Sequence, residues 1–201
     1  MNESISNNEL GDILELLALK ALAKITFQRL GLGTRPAEVA PHRAIIEWNL
    51  PNPHADRYGT PFTSYCLIWH QANRQQEESG ISHPDFTFEK NSETCYTIEA
   101  KNLKPTWTMN WQWTLERVIS RFESYPAPLN ILLISKVNLL PRDSQKMTQT
   151  FREHYITTVE VGRQITSLHD TQASQAILEL LHPLIDPILE KLKNRQESPS
   201  V

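Results

Sequence analysis

The sequence contains few of the residues that stabilise small extracellular proteins. Only two of its 201 residues are cysteine, Cys66 and Cys95, which are too few for a disulfide framework or a four-cysteine zinc site. No apolar run approaches the roughly 18 residues of a membrane span, and no charged segment leads into an apolar stretch with a small-residue cleavage site. We therefore expect a cytoplasmic protein that has no membrane partner.

Glycine is also scarce, and the charge balance is nearly even. The six glycines form no phosphate-binding loop, so ATP hydrolysis is not expected. Hydrophobic residues make up 39% and charged residues 21%, which excludes a fibrous chain and favours a folded one. The net charge of -3 argues against a surface that binds nucleic acid everywhere, but it leaves room for a basic patch beside an acidic metal site.

Hydrophobic periodicity predicts an α/β protein in which a central mixed β-sheet is flanked by helices and followed by a C-terminal helical extension. We expect one domain over residues 1–170 and the extension over 171–201, with a frayed end. Pro183 and Pro187 interrupt the periodicity of the extension, so a kinked helix and two short helices are both open. The predicted helices are 10–30, 108–125 and 144–155, and the predicted strands are 43–50, 63–69, 85–88, 95–102, 130–139 and 156–165.

The two strands joined by a turn at 89–93 carry the main chemical pattern. Successive side chains on a strand point to opposite faces, so alternation separates an apolar face from a polar one. The apolar face is predicted to contain Phe86, Phe88, Tyr96, Ile98 and Ala100. The polar face is predicted to contain Asp85, Thr87, Thr97, Glu99 and Lys101.

Two carboxylates on one face suit Mg²⁺ or Mn²⁺, which prefer oxygen ligands. Asp85 and Glu99 are the candidate ligands, and the backbone carbonyl of Ala100 is a candidate third ligand. Lys101 lies two residues after Glu99, on the same face of the strand. It can orient or deprotonate a water molecule and neutralise charge on a phosphate. This pattern indicates metal-assisted hydrolysis of a phosphodiester.

The segment Pro84-Asp85, thirteen residues, then Glu99-Ala100-Lys101-Asn102 resembles the motif of the PD-(D/E)XK nuclease superfamily. The resemblance spans about residues 9–139 and implies a restriction-endonuclease-like core. It implies that Asp85 and Glu99 hold the metal and that Lys101 serves the water. It also implies a supporting glutamate on the first helix, with Glu15 the first candidate and Glu9 the second, and a supporting catalytic glutamine at Gln112.

Basic and aromatic residues around this pattern are candidates for nucleic-acid contacts, although a solvated helix face explains the charges and core packing explains the tryptophans equally simply. The pair Arg117 and Arg121 is expected either to meet phosphates or to pair with Glu116, Glu123 or solvent. His83 is expected either to line the cleft or to have a polar capping role. The candidate nucleic-acid contacts are Lys20, Lys24, Arg35, Lys104, Trp107 and Arg117.

The leading hypothesis is a Mg²⁺-dependent nuclease that acts on DNA within a restriction, repair, transposition or phage-defence assembly. The alternative is a nuclease-like module that binds nucleic acid or assembles with partners without catalysis. A chance motif on an unrelated α/β protein is the third possibility. The apolar stripe from Ile177 to Leu192 is expected either in the core or as a surface for a homodimer or a protein partner.

Overall fold

The computed structural model describes residues 7–31, 35–40, 43–51, 62–70, 83–102, 111–136 and 141–197. The described part of the chain begins with a helix and five consecutive strands, after which helices and strands alternate. In chain order they are α1 (Asn7–Leu30), β1 (Arg35–Ala40), β2 (Arg43–Pro51), β3 (Phe62–His70), β4 (Phe86–Lys90), β5 (Glu93–Lys101), α2 (Trp111–Ser124), β6 (Asn130–Ile134), α3 (Pro141–Glu153), β7 (Ile156–Glu160) and α4 (Thr171–Glu197).

All seven strands belong to one mixed sheet whose spatial order follows the chain order. Strands β1 to β5 pair antiparallel, whereas β5, β6 and β7 pair parallel. A parallel neighbour needs a crossover connection, and α2 and α3 lie in the two crossovers. The predicted α/β class with a mixed sheet flanked by helices is therefore confirmed.

The turn between β4 and β5 is shorter than the predicted 89–93, because only two residues separate the strands. Asn91 and Ser92 both have positive φ, 48° and 67°, which matches the right-handed twist of a tight hairpin. The Asn91 side chain accepts a hydrogen bond from Ser64 N at 3.0 Å, and Asn91 N donates to Ser64 O at 2.8 Å. These bonds fix the hairpin against β3.

Helices cover the two faces of the sheet in pairs. Ile131 and Leu133 of β6 lie in the core cluster shared with α1 and α4. Leu132 and Ile134, which point the opposite way, pack with apolar side chains of α2 and α3. Every residue of β6 is buried, as its nearly all apolar sequence predicts for a strand that is covered on both sides.

The C-terminal segment forms one helix, α4, that runs through both Pro183 and Pro187. Both prolines lie on its exposed side, where carbonyl groups that lose an intrahelical partner can bind water. The inner side is completely buried and belongs to the same core as α1. The buried part of the stripe is therefore covered by the chain itself, whereas a homodimer or protein partner at its remaining residues stays a prediction. Its completely buried residues are Ile177, Leu181, Ile185 and Leu189.

Several boundaries differ from the sequence prediction for local reasons. Strand β1 was not expected, because Pro36 interrupts its pattern, and the structure places it at the sheet edge with an irregular register between Pro36 and Glu38. Helix α3 begins at Pro141, before the expected 144, since proline suits the first position of a helix. Strand β7 ends at Glu160, shortly before Gly162, which has φ of 81°.

Candidate functional site

The polar residues of the predicted hairpin lie at one place on the sheet. Asp85 immediately precedes β4, and Glu99 and Lys101 lie at the end of β5. Glu99 pairs in register with Leu132 of β6, whose side chain packs under α2 and α3. The polar face is therefore not a solvated surface but is covered by helix α2.

The predicted alternation of the hairpin is present in the structure. All five residues of the apolar face lie in the core cluster with α1 and α4. The polar face is buried as well, since Asp85, Thr87, Thr97 and Glu99 are each no more than 3% exposed. Ionisable residues that are buried to this extent need specific partners, because loss of their hydration is costly.

Asp85 is held by backbone groups of two neighbouring strands. Its Oδ2 atom accepts a hydrogen bond of 2.6 Å from the backbone N–H of Ala100, and its carbonyl accepts one of 2.8 Å from His70 N. Its Oδ1 atom lies 4.0 Å from Nη1 of Arg121. Burial, and then the Glu99 carboxylate, raises the pKa of Asp85 to about 6. The Asp85 carboxylate thus has one oxygen fixed by the backbone and one facing α2.

Glu99 is the centre of the cluster. Its side chain is completely buried, and its Oε1 atom contacts both Lys101 Nζ and Arg121 Nη1. Its Oε2 atom is buried and has no hydrogen-bond partner within the described part of the chain. A buried carboxylate oxygen without a partner is unfavourable by about 1–3 kcal/mol or more, so this atom has capacity for a further cation or donor.

Arg121 is a member of the cluster that the sequence interpretation did not place there. It was expected to meet phosphates or to pair with Glu116 and Glu123, whereas its side chain crosses from α2 to Glu99 and is 13% exposed. Helical spacing in the sequence could have indicated this position. Arg121 follows the buried Val118 by three residues and therefore lies on the same side of the helix, facing the sheet.

Lys101 carries the second positive charge of the cluster. Burial favours its neutral form, but the carboxylates of Glu99 and Asp85 outweigh burial and raise the pKa of Lys101 above its usual value. The ammonium form is therefore the stable form in this arrangement. A charge-stabilising role fits it better than the role of a base.

Glu15 approaches the same cluster from α1. Its Oε2 atom accepts a hydrogen bond of 2.9 Å from Trp69 Nε1. Burial raises the pKa of Glu15 to about 8, and the Asp85 carboxylate, which lies within electrostatic reach, is the second cause of this rise. Glu9, the second candidate on this helix, is exposed. The structure therefore brings Glu15 to the site.

A group of aromatic rings lies beside the carboxylates on the same sheet face. His70 Nε2 lies 3.0 Å from Thr87 Oγ1, and the His70 and His83 rings stack with centroids 4.8 Å apart. The Tyr125 hydroxyl lies 3.1 Å from His83 Nε2. His83 thus packs in a wall beside the cluster, between β3 and the end of α2.

Asn102, the last residue of the motif segment, fixes the end of β5, a role that the sequence did not indicate. Its amide donates hydrogen bonds of 2.6 Å to Leu10 O and 2.7 Å to Ile165 O. These contacts join the strand that carries Glu99 and Lys101 to α1, which carries Glu15. Asn102 is therefore a positioning residue for the cluster.

The structure does not bring the described candidate nucleic-acid contacts to the cluster, unlike Glu15 and Arg121. Lys20 and Lys24 are exposed on α1, and helical geometry turns them about 140° and 180° away from Glu15. Arg117 is exposed on α2, one turn before Arg121. Lys104 and Trp107 lie outside the described residues, as do the side chains of Arg35 and Gln112.

Metal capacity at this site rests on a pair of carboxylates. Within the described ranges, no three His, Cys, Asp or Glu side chains are grouped in a way that would hold a metal ion. No helix among these residues is long and apolar enough to cross a membrane. Neither family models, nor curated proteins, nor solved structures show a match to the chain.

Proposed function

We propose that the protein is a metal-dependent nuclease that hydrolyses phosphodiester bonds in DNA. The observation that carries the proposal is the pair of buried carboxylates, Asp85 and Glu99, beside Lys101, with Glu99 Oε2 buried and without a partner among the described residues. The resemblance of Pro84-Asp85 and Glu99-Ala100-Lys101 to the PD-(D/E)XK motif supports the same conclusion.

The donor set fits Mg²⁺ or Mn²⁺. Both ions prefer oxygen ligands and retain several water molecules, so two carboxylates are a sufficient protein contribution. Asp85 Oδ1 and the Glu99 carboxylate would hold the ion, with Glu15 as a further carboxyl group within electrostatic reach. A bound divalent ion would lower the pKa of a coordinated water and withdraw charge from the phosphate.

Residues of the chain would stabilise charge in the transition state and hold the carboxylates in position. The Lys101 ammonium would stabilise negative charge as water oxygen bonds to phosphorus and the bond to the leaving oxygen breaks. The proton lost by the water would be balanced by one gained at the leaving oxygen. The Ala100 N–H keeps Asp85 in place, and Asn102 keeps the end of β5 against α1.

A second candidate function is a nuclease-like module that binds nucleic acid or a partner without cleaving it. Arg121 favours this candidate, because its guanidinium contacts Glu99, approaches Asp85 and so balances the charge of both carboxylates. The cluster is then a self-contained ion-pair network that stabilises one arrangement of α2 on the sheet. A restriction, repair, transposition or phage-defence assembly is a setting for either candidate by analogy alone.

Cleavage of DNA by purified protein tests the first candidate. Supercoiled and linear DNA are incubated with Mg²⁺ or Mn²⁺ and wild type, Asp85→Asn, Lys101→Ala or the control Lys191→Ala. Lys191 is an exposed residue of α4 far along the chain from the cluster. We expect wild type and the control to cleave and the two site variants to lose about a hundredfold or more in rate.

The outcomes separate the candidates. Full activity of Lys101→Ala would remove Lys101 from the mechanism. If no protein cleaves, calorimetric titration with Mn²⁺ decides between the readings. Failure to bind the ion at millimolar concentration favours the non-catalytic module, whereas binding that Asp85→Asn abolishes supports a nuclease that awaits a partner.

A further inference from the structure

The guanidinium of Arg121 occupies the space that a shared cation would need. Its Nη1 atom contacts Glu99 Oε1 and lies 4.0 Å from Asp85 Oδ1. A divalent ion that uses Asp85 Oδ1 together with Glu99 must lie close to this nitrogen, even if it binds the second Glu99 oxygen, Oε2. The arginine and the ion therefore compete for one position.

The charges of the cluster make this competition strong. When they are ionised, Asp85 and Glu99 supply two negative charges, and Lys101 and Arg121 supply two positive charges. A divalent ion added to this balanced group would leave an excess of two positive charges at a site where Glu99 is completely buried, and an excess of one if the Glu15 carboxylate is counted as well. Because charges interact strongly where water is excluded, the ion enters more favourably if a positive group moves away.

Arg121 is better placed to leave than Lys101. Lys101 lies on β5 two residues from Glu99, so the strand holds it beside the carboxylate. Arg121 reaches the cluster from helix α2, and the exposed Arg117 lies one turn earlier on that helix. A long side chain can swing outward from a helix, and a guanidinium binds two oxygens of a phosphate well.

We propose that Arg121 is a built-in competitor of the divalent ion and that it moves to a phosphate of the substrate when the ion binds. The inference rests on the proposed function and adds a form of regulation to the same site. Metal and phosphodiester then favour each other's binding, because each is bound best when Arg121 has left the carboxylates. Such coupling must be reciprocal.

Calorimetric titration of Mn²⁺ without DNA tests the competition. We expect Arg121→Gln to bind Mn²⁺ about tenfold or more tightly than wild type, since the competing charge is gone. The control Arg152→Gln, which removes an exposed arginine from α3, should bind as wild type does. If Arg121→Gln does not fold, Arg121→Lys replaces it and should have an intermediate affinity, because lysine forms fewer fixed hydrogen bonds.

A second titration tests the coupling and needs no change in the protein. A short DNA oligonucleotide with phosphorothioate linkages is present in excess while Mn²⁺ is added. We expect it to increase the Mn²⁺ affinity of wild type by several fold and to change that of Arg121→Gln much less.

The outcomes distinguish this inference from the proposed function. Equal or weaker Mn²⁺ binding by Arg121→Gln, together with metal-dependent cleavage by wild type, would overturn the competition and leave the nuclease intact. Absence of Mn²⁺ binding in wild type and in both Arg121 variants would overturn both proposals.

Discussion

Replacing Glu15 by glutamine should make the metal-free protein more stable at neutral and alkaline pH. Glutamine has nearly the same shape, and its side-chain oxygen can still accept the hydrogen bond from Trp69 Nε1. The substitution therefore removes an ionisable group from the cluster while it keeps the packing. It isolates the effect of a buried charge.

The sign and size follow from the pKa of Glu15, which burial and then Asp85 raise from 4.5 to about 8. Between these values the folded protein binds a proton that the unfolded chain has released. The stabilisation by this group is therefore complete below pH 4.5 and is lost as pH rises towards 8. Each pH unit in this window lowers the free energy of unfolding by about 1.4 kcal/mol. Partial solvent access reduces the total loss to about 2–3 kcal/mol by pH 7.

Urea unfolding in the presence of a chelator, from pH 4.5 to 8.5, measures the effect. We expect wild type and Glu15→Gln to have similar free energies of unfolding at the acid end and to diverge as pH rises, with the variant more stable. Asp85 loses stabilisation with the same sign between pH 3.8 and about 6, but it is present in both proteins and largely cancels. Glu116→Gln, which changes an exposed residue of α2, is the control. Parallel curves for wild type and Glu15→Gln would refute the reasoning.

Three further predictions concern the stability of the fold that carries the cluster. Asn102→Ala should lower the free energy of unfolding by about 2–3 kcal/mol, because two backbone carbonyls lose their donor; an unchanged urea midpoint would contradict its positioning role. Ile185→Ala should cost about 2–5 kcal/mol by urea unfolding, since the side chain is completely buried between α4 and the rest of the core. A much smaller loss would show that α4 packs loosely. Ser92→Gly should raise stability by up to about 1 kcal/mol in thermal unfolding, because its φ is 67°; a clear loss would mean that the serine side chain supports the turn.

Local patterns explain why the hairpin could be predicted from the sequence. Phe86 and Phe88 alternate with polar residues, and so do Tyr96 and Ile98, so a period of two assigns both faces before any tertiary contact is known. Strand β6 was predicted because its residues are apolar almost without interruption, but it ends at Ile134 and not at 139. The grouping of Asp85, Glu99 and Lys101 follows directly from this local geometry.

Contacts between distant parts of the chain could not be predicted in the same way. Arg121 joins the cluster because α2 covers this face of the sheet, and Asn102 binds Leu10 and Ile165, which only the tertiary fold brings to the end of β5. The sequence suggested a local partner for Arg121, since helical neighbours such as Glu123 were the nearest acids known. The alternation also did not show that the polar face is buried, because burial depends on which helix covers it.

Helix α4 illustrates the same limit on a larger scale. Its apolar stripe has the pattern of a core helix and of a partner surface alike. Only the position of α1 decides between them, and Arg29 of α1 pairs with Asp186 of α4. This pairing and the burial of Ile185 show that the stripe is covered by the chain itself.

Anomalous X-ray diffraction from crystals that contain Mn²⁺ tests the central claim most directly, because it locates the ion itself. We expect one strong peak within about 2.5 Å of a carboxylate oxygen of Asp85 and of Glu99, with the Arg121 guanidinium displaced from between them. Absence of a peak at saturating Mn²⁺, with Arg121 still against Glu99, would contradict the metal centre and favour a self-contained ion-pair network.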